Sequence, residues 1–332
     1  MFRLLLTKIF QSLLIIWGIT TLLYGVFYLL EDPVNYMVGE QADKKTKEKI
    51  RIKYGLDKPI STQYFHYLHQ LSPIGQKEDS TWGVKAPDMG ISYQNEVKVR
   101  ELIGQHLTGS AVLTLFALGF AAVIGISLGI IAALYHNTIY DKLIIGVSVL
   151  GISAPSFFVG IIFIWLFAVV FRNVTGLDAG GYLFDVHPFT GERIYVWKNL
   201  WLPMLALGVR PLAVFVQLTK SAMLDIMQMD YIRTAYAKGL SHFIVIVRHT
   251  LRNALSPVLT AVTGWLASLL AGAFFIEYIF NWKGIGKLTI DALTNHDFPI
   301  ILGCCITVGT IFVVVNVFTD ILYAVLDPRV KV

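Results

Sequence analysis

Three ionisable residues stand where charge is costly. Arg210 lies between Pro203 and Pro211 in an apolar run, Glu277 closes a second run, and Asp297 precedes Pro299 at the start of a third. Charges inside membrane-spanning runs face protein or water rather than lipid, so each of these residues is a candidate for lining a polar path. Arg210 offers a cation to a passing carboxylate. Pro211 has no N–H to give the helix, so a local break lined by Arg210 is the expected form of that site. The competing reading pairs Arg210 with another helix, for example through Glu277, or lets it snorkel to an interface. Helix capping and loop hydrogen bonds are the simpler account of Asp297. Asn316 and Asp320, one turn apart, are expected to touch neighbouring helices.

Other chemistry is missing. A phosphate-cradling loop needs G-x-x-x-x-G-K-[ST], and the nearest string, Asn281 to Leu288, carries Asn281 and Leu288 at two defining positions. The eight His residues include no H-E-x-x-H pattern, and no G-x-S-x-G occurs. Cys304 and Cys305 are adjacent in an apolar run, which suits packing and neither a disulfide framework nor a metal site. No catalytic or metal-binding residue is expected, and no cofactor.

The elements that must hold the three charges are set by composition. Of 332 residues, 55% are hydrophobic and 15% charged, where a soluble domain has roughly 25% charged. Long charge-free runs alternate with short charged ones, the pattern of spans and loops in a bilayer. The net charge of +5 comes from Lys and Arg between the runs rather than from one basic stripe, so lipid headgroups and partner subunits are the expected counter-charges, not nucleic acid. The runs are Ile9 to Leu30, Leu102 to Tyr140, Leu143 to Phe171, Leu200 to Leu218, Asn253 to Ile276 and Phe298 to Thr319. Each can supply the roughly 20 residues that cross the hydrocarbon layer. The first ends without a small-x-small site and reads as a retained span rather than a cleaved leader. The second is expected to enter the bilayer near Gly109, with Glu96 to His106 interfacial, and Pro155 is expected to kink the third.

The expected fold is therefore an all-α integral membrane protein of about six transmembrane helices. Arg3, Lys8, Lys142, Lys220, Arg233, Lys238, Arg248, Arg252, Arg329 and Lys331 flank the runs on one side, which the positive-inside rule assigns to the cytoplasm together with both termini. Residues 1–30 make the first helix, 31–101 an extracytoplasmic segment and 102–328 the remaining five helices. The outer segment carries eleven Lys and Arg residues, but loops beyond about 60 residues are largely exempt from the rule. It is expected to fold, with Asp43 capping a helix that Gly55 ends and Ser61 capping another. The run Lys44, Lys45, Lys47, Lys49, Arg51, Lys53 reads as a solvated helix face or a docking surface. A second outer loop, Arg172 to Asn199, is turn-rich, with Gly176, Gly180, Gly181, Pro188 and Gly191.

The connection from Lys220 to Pro257, KSAMLDIMQMDYIRTAYAKGLSHFIVIVRHTLRNALSP, is too helix-prone for a tether. Met223 to Lys238 is expected to be one helix stopped by Gly239, with Ser241 capping a second that runs to a bend at Pro257. Small Ala235 and Ala237 would let another protein approach closely, while Arg233 and Lys238 supply polar contacts at the rim.

That segment resembles the EAA loop of binding-protein-dependent ABC permeases, whose coupling helix enters a groove of the ATPase subunit. The family pattern, Glu-Ala-Ala, three residues, then Gly, corresponds here to Arg233, Thr234, Ala235 and Gly239. The first two positions depart from it, but DYIRTAYAKGL followed by RNAL-x-P is similar to the dipeptide/oligopeptide/nickel branch. So are YGLDKPISTQYFHYL, DMGISY, LLAGAFFIEYIFNWKGIGKLTIDAL and NVFTDILYAVLDPRV. The resemblance implies the type I importer permease architecture, with a small extracytoplasmic domain between helices 1 and 2, in the cytoplasmic membrane. It implies Asp230, Tyr231, Arg233, Thr234, Ala235, Ala237, Lys238, Gly239 and Leu240 as the ATPase-coupling residues. It also implies a homologous second permease, two ATPase subunits holding ATP and Mg, and an extracytoplasmic substrate-binding protein. The substrate expected is a di- or oligopeptide, moved by alternating access. An ion-gradient-driven secondary transporter, with Arg210, Glu277 and Asp320 as a charge relay, is the alternative class.

Overall fold

The computed structural model describes residues 2–29, 33–38, 42–76, 81–186 and 193–326. Glu31, Pro188, Gly191, Arg329 and Lys331 lie outside the described residues. The helices are α1 (Phe2–Leu29), α2 (Pro33–Val38), α3 (Lys44–Lys53), α4 (Ile60–Leu71), α5 (Val99–Leu134), α6 (Ile139–Ser153), α7 (Ser156–Phe163), α8 (Arg172–Thr175), α9 (Lys198–Met227), α10 (Asp230–Ala237), α11 (His242–Ile244), α12 (Arg252–Gly272), α13 (Phe274–Ile279), α14 (Ile285–Thr294) and α15 (Phe298–Leu326). Ile164–Val170 continues α7, and Val245–Leu251 joins α11 to α12, both as π-helix. Two antiparallel hairpins complete the set, β1 (Ile74–Gln76) with β2 (Trp82–Val84) and β3 (Phe184–Val186) with β4 (Arg193–Tyr195).

All six apolar runs fall on helices. Val99–Leu134, Lys198–Met227, His242–Leu270 and Phe298–Asp320 are each long and apolar enough to cross a membrane, and the bent pair Ile139–Ser153 and Ser156–Val170 makes a fifth if taken as one span. In α1 the apolar stretch among the described residues is the shorter Phe10–Val26. The expected six are thus four or five full-length spans plus this shorter helix. Several hydroxyls within these helices return to the backbone one turn earlier, as Thr20 does to the Ile16 carbonyl at 2.7 Å, Ser148 to Ile144 at 2.8 Å and Thr310 to Ile306 at 2.7 Å. A back-bonded hydroxyl of this kind is not left unpaired in lipid, whereas those of Thr114, Thr219 and Thr250 are buried with no partner among the described residues.

Several boundaries differ from the sequence expectation. Pro155 does more than kink its run: α6 and α7 meet at 109°. Ala154 and Pro155 are both extended there, because the proline ring keeps the residue before it out of the helical region. Pro203, Pro211 and Pro257 break nothing, since α9 and α12 run through them. A proline's lost hydrogen bond is tolerated where packing holds both halves in line. Helix α5 starts at Val99, so most of the stretch expected to be interfacial is already helical. Asp43 precedes α3 without a side-chain cap, and α4 is preceded by Pro59 rather than capped by Ser61. Proline at that position sets the backbone for helix entry by its fixed φ. Gly55 does end α3, with φ +68° and the Leu56 N–H donating to the Arg51 carbonyl at 2.8 Å.

The chain forms two compact units, Met1–Thr108 with Gly284–Val313, and Gly109–Lys283 with Val314–Val332. In the first, Val99, Ile103, Ile285, Leu288, Ile301 and Cys304 share a buried core, so Cys304 packs as a small apolar residue. The Thr21 and Tyr64 hydroxyls lie 2.6 Å apart, joining α1 to α4. In the second, Leu113, Ala117 and Ala121 of α5 pack with Leu202, Ala206 and Phe215 of α9 and with Phe280 and Trp282. Gly125 and Gly129, a GxxxG pair on α5, let α9 come close: a Cβ at Gly125 would meet the Leu212 carbonyl oxygen at 2.8 Å, and one at Gly129 the Val216 carbonyl oxygen at 2.7 Å.

Candidate coupling site

The connection between α9 and α12 belongs wholly to the second unit. Its first helix is not continuous. Helix α9 ends at Met227, Met229 is extended, and α10 begins at Asp230. An acidic residue in the first turn suits the positive end of the helix dipole. Ile232 and Ala235, three residues apart and so on one face, are buried against Val245. The opposite face, Tyr231, Arg233, Thr234, Tyr236, Ala237 and Lys238, is exposed. Ala235 therefore seats the helix instead of admitting a visitor, and of the two expected small contact residues only Ala237 faces outward.

Gly239 ends α10 at φ +79° with nothing near enough to clash with a side chain. Its conformation alone calls for glycine. The Gly239 N–H donates to the Tyr236 carbonyl at 2.9 Å and the Leu240 N–H to the Ala235 carbonyl at 3.4 Å, the paired closure of a Schellman turn. Leu240 folds back against the Ile232–Ala235–Val245 seat. Ser241 takes the N-cap position of α11, extended and without a side-chain cap. The second helix then runs through Pro257 to Gly272 rather than ending at a bend.

Polar ties fix this short helix. Asn253 Nδ2 donates to the Tyr231 hydroxyl and to the His249 carbonyl, each at 3.0 Å. The Tyr236 hydroxyl lies 2.8 Å from His242 Nδ1, with the two rings stacked. At its base, Lys220 Nζ lies 2.6 Å from buried Asp141, which also takes the Asn137 N–H at 3.0 Å, so α9 is pinned to the start of α6. A buried carboxylate needs such partners. On the outer surface Arg233 sits 3.5 Å from Asp230 with both side chains largely in solvent, so this ion pair adds little to the helix.

Sequence reasoning missed Phe243, which is 75% exposed beside the knob with Met229, Ile244 and Val247 also exposed. The signal was present: an aromatic two residues after the cap position, on a stretch whose buried residues are Val245 and Ile246. Exposed apolar side chains on the same connection as exposed Arg233, Lys238 and Arg248 are the composition of a docking surface.

Within the second unit, Arg210 and Glu277 are not paired with each other. Arg210 is exposed on unbroken α9 and makes no hydrogen bond or ion pair among the described residues. Glu277 is 1% exposed and accepts the Ser110 hydroxyl at 2.6 Å, so it neither pairs with Arg210 nor lines an open mouth. Asp297, also 1% exposed, belongs to the other unit. It accepts the Ser92 hydroxyl at 2.5 Å and the Tyr93 and Gln94 N–H groups at 3.2 Å. That is the loop-anchoring role named as its simpler account. No group of three or more metal-ligating side chains occurs among the described residues.

Residues 125–332 match the family described as "Binding-protein-dependent transport system inner membrane component", and residues 1–114 match "Binding-prot-dependent transport system membrane comp, N-term". The dipeptide transport system permease protein DppB of Escherichia coli K12 is 35% identical over 333 residues, covering 95% of this chain and 94% of that protein. The di/tripeptide transport system permease protein DppB of Pseudomonas aeruginosa UCBPP-PA14 is 36% identical over 333 residues, with the same two shares. Among solved structures, the inward-facing MetNI methionine ABC transporter is similar in fold, with a TM-score of 0.56 and 14% identity over 69% of this chain and 97% of that one.

Proposed function

Because this chain belongs to the family of binding-protein-dependent transport system inner membrane components, we propose that it is the peptide-conducting half of an importer and that α10 is its joint with the motor. The chain is a multi-pass membrane protein of the type I importer permease fold and works within a complex. In this reading the substrate is a di- or oligopeptide, as the names of its relatives suggest. A homologous second permease completes the path, and two ATPase subunits hold the ATP and Mg. An extracytoplasmic binding protein delivers the peptide, and both termini lie in the cytoplasm. This chain binds no nucleotide of its own.

The observation that carries the reading is the exposed aromatic and basic surface of a short helix seated by Ile232, Ala235 and Val245 and closed at Gly239. Closure of the ATPase pair would press on Tyr231, Arg233, Thr234, Tyr236, Ala237 and Lys238. Their ties to His242 and Asn253 would pass that movement into α12 and turn the path outward. Alternating access needs such a rigid lever. Arg210, a charge on a span with no hydrogen bond or ion pair among the described residues, then serves the peptide carboxylate. An ion-gradient carrier would need Arg210, Glu277 and Asp320 to relay charge, and Glu277 is instead engaged by Ser110.

Reconstituted vesicles test this directly. Dipeptide uptake should require the second permease, the ATPase subunits, the binding protein and internal ATP. Uptake by this chain alone under a proton gradient would replace the importer with a secondary carrier.

A further inference from the structure

The first unit contains a cavity of about 730 Å³ that the coupling reading does not use. Its size falls in the range of small-molecule sites, about 300–1,000 Å³. The walls come from the turn that ends α3, one face of α4, the segment 88–93 and the start of α15. Tyr24, Tyr54, Tyr67 and Tyr93 all contribute, and the Tyr54 and Tyr93 rings meet edge to face at 5.1 Å. Burial pushes the Tyr67 and Tyr93 hydroxyls above the ordinary tyrosine value, so both stay neutral. The charged groups Asp57, Lys58 and Asp88 are exposed, and the tyrosines Tyr54, Tyr67 and Tyr93 are half-buried, so the cavity is aromatic within and charged at its edge.

Three details favour a cationic visitor. Asp57 makes no hydrogen bond or ion pair among the described residues, and Asp88 uses only Oδ1, on the Gly90 N–H at 3.0 Å. The protein's own ammonium, Lys53 Nζ, lies 5.2 Å from the Tyr54 ring centroid, within cation–π reach. That lysine is already neutralised by Glu96 at 3.0 Å, so among the lining residues Asp57 and Asp88 outnumber the remaining Lys58 and leave an excess of negative charge. We propose that this cavity binds the ammonium end of a short peptide, its first side chain against the tyrosines and its α-amino group between Asp57 and Asp88. Lys58 faces the carboxylate end of the same ligand.

This deepens the peptide reading above and takes its substrate class from it. The test uses the assembled importer in lipid nanodiscs, with L-alanyl-L-phenylalanine and its N-acetyl derivative as probes in calorimetry. Binding of the free dipeptide should weaken tenfold or more in the double variant Asp57→Asn/Asp88→Asn. Both changes are isosteric, and the side-chain amide oxygen introduced by Asp88→Asn still accepts from the Gly90 N–H. The N-acetyl dipeptide should bind at least tenfold more weakly than the free one. No measurable binding, equal affinity for the acetylated probe, or an unaltered affinity in the double variant each overturns the site. ATP-driven uptake that persists alongside such a result removes the site alone; absence of ATP-driven uptake in the parent complex removes the importer reading.

Discussion

At the scale of single residues, the same physics gave three charges two different fates. A carboxylate withdrawn from water survives when donors surround it. Asp297 has a hydroxyl and two backbone N–H groups, and Glu277 has the Ser110 hydroxyl. Both hold loops and helices together. Arg210 differs, because it lies on a helix that could span the membrane and is exposed without a partner among the described residues. Losing one charge-assisted hydrogen bond to a substrate carboxylate costs about 1.5–3 kcal/mol. Arg210→Met should therefore slow uptake of a zwitterionic dipeptide by about tenfold or more, leave uptake of its C-terminal amide nearly unchanged, and not shift the thermal midpoint. Equal rates for both substrates in the variant and the parent would take Arg210 out of the path.

At the scale of elements, α10 shows how little helix a mechanical joint requires. Eight residues are too few to be stable alone, and this helix persists because Ile232 and Ala235 bury against Val245 while Gly239 and Leu240 close its end. Rigidity is thus borrowed from the Val245–Leu251 segment that continues into α12, which is what lets a push on the exposed face reach the span. Phe243, largely exposed, gives nothing to this seat. Its replacement should spare folding and weaken docking: aromatic anchors at the centre of an interface are worth about 2 kcal/mol or more. We expect Phe243→Asp to weaken capture of the ATPase subunits about thirtyfold in a detergent-solution binding assay, with an unchanged melting curve. Retained affinity would move the docking surface elsewhere on the connection. The α6–α7 elbow is a second element-scale feature, where one proline and the extended residue before it turn a single apolar run through 109°.

At the scale of the whole molecule, ion pairs outside the spans make stability depend on pH. A hydrogen bond from Lys198 at 2.5 Å, helped by Arg172 at 3.4 Å, holds the Asp178 carboxyl below the usual carboxylate range. A group depressed in the folded state adds stability above its unfolded value, about 3.9, and that contribution disappears as pH falls through the lower folded value. The melting midpoint of the parent should exceed that of Asp178→Asn at pH 7 and at pH 5, and the two should converge below about pH 3. A gap that is constant down to acid pH would show that the pair contributes by packing rather than by charge. Because the loop it ties joins two helices of one unit, the effect belongs to that unit's folding and not to the coupling helix.

The place of the apolar helices, the helix ends at Gly55 and Gly239, and the helical character of the connection between α9 and α12 were legible in the residues, because each depends on local composition or on one backbone conformation that glycine supplies. The resemblance carried by DYIRTAYAKGL and its companion strings reached the family as well. What lay beyond the sequence depended on which residues meet across the fold. Whether a proline breaks a helix, as Pro155 does, or is absorbed, as Pro211 and Pro257 are, is decided by what packs on either side. Ala235 could be assigned to the outside by its size, and only the seat against Val245 put it inside. The partners of Glu277 and Asp297 stand 167 and 205 residues away in the chain, and no periodicity encodes a hydrogen bond across that distance. Side-chain pairing of this kind is a property of the assembled tertiary structure, since burial first removes the water that would otherwise satisfy each group and then leaves the neighbours to replace it.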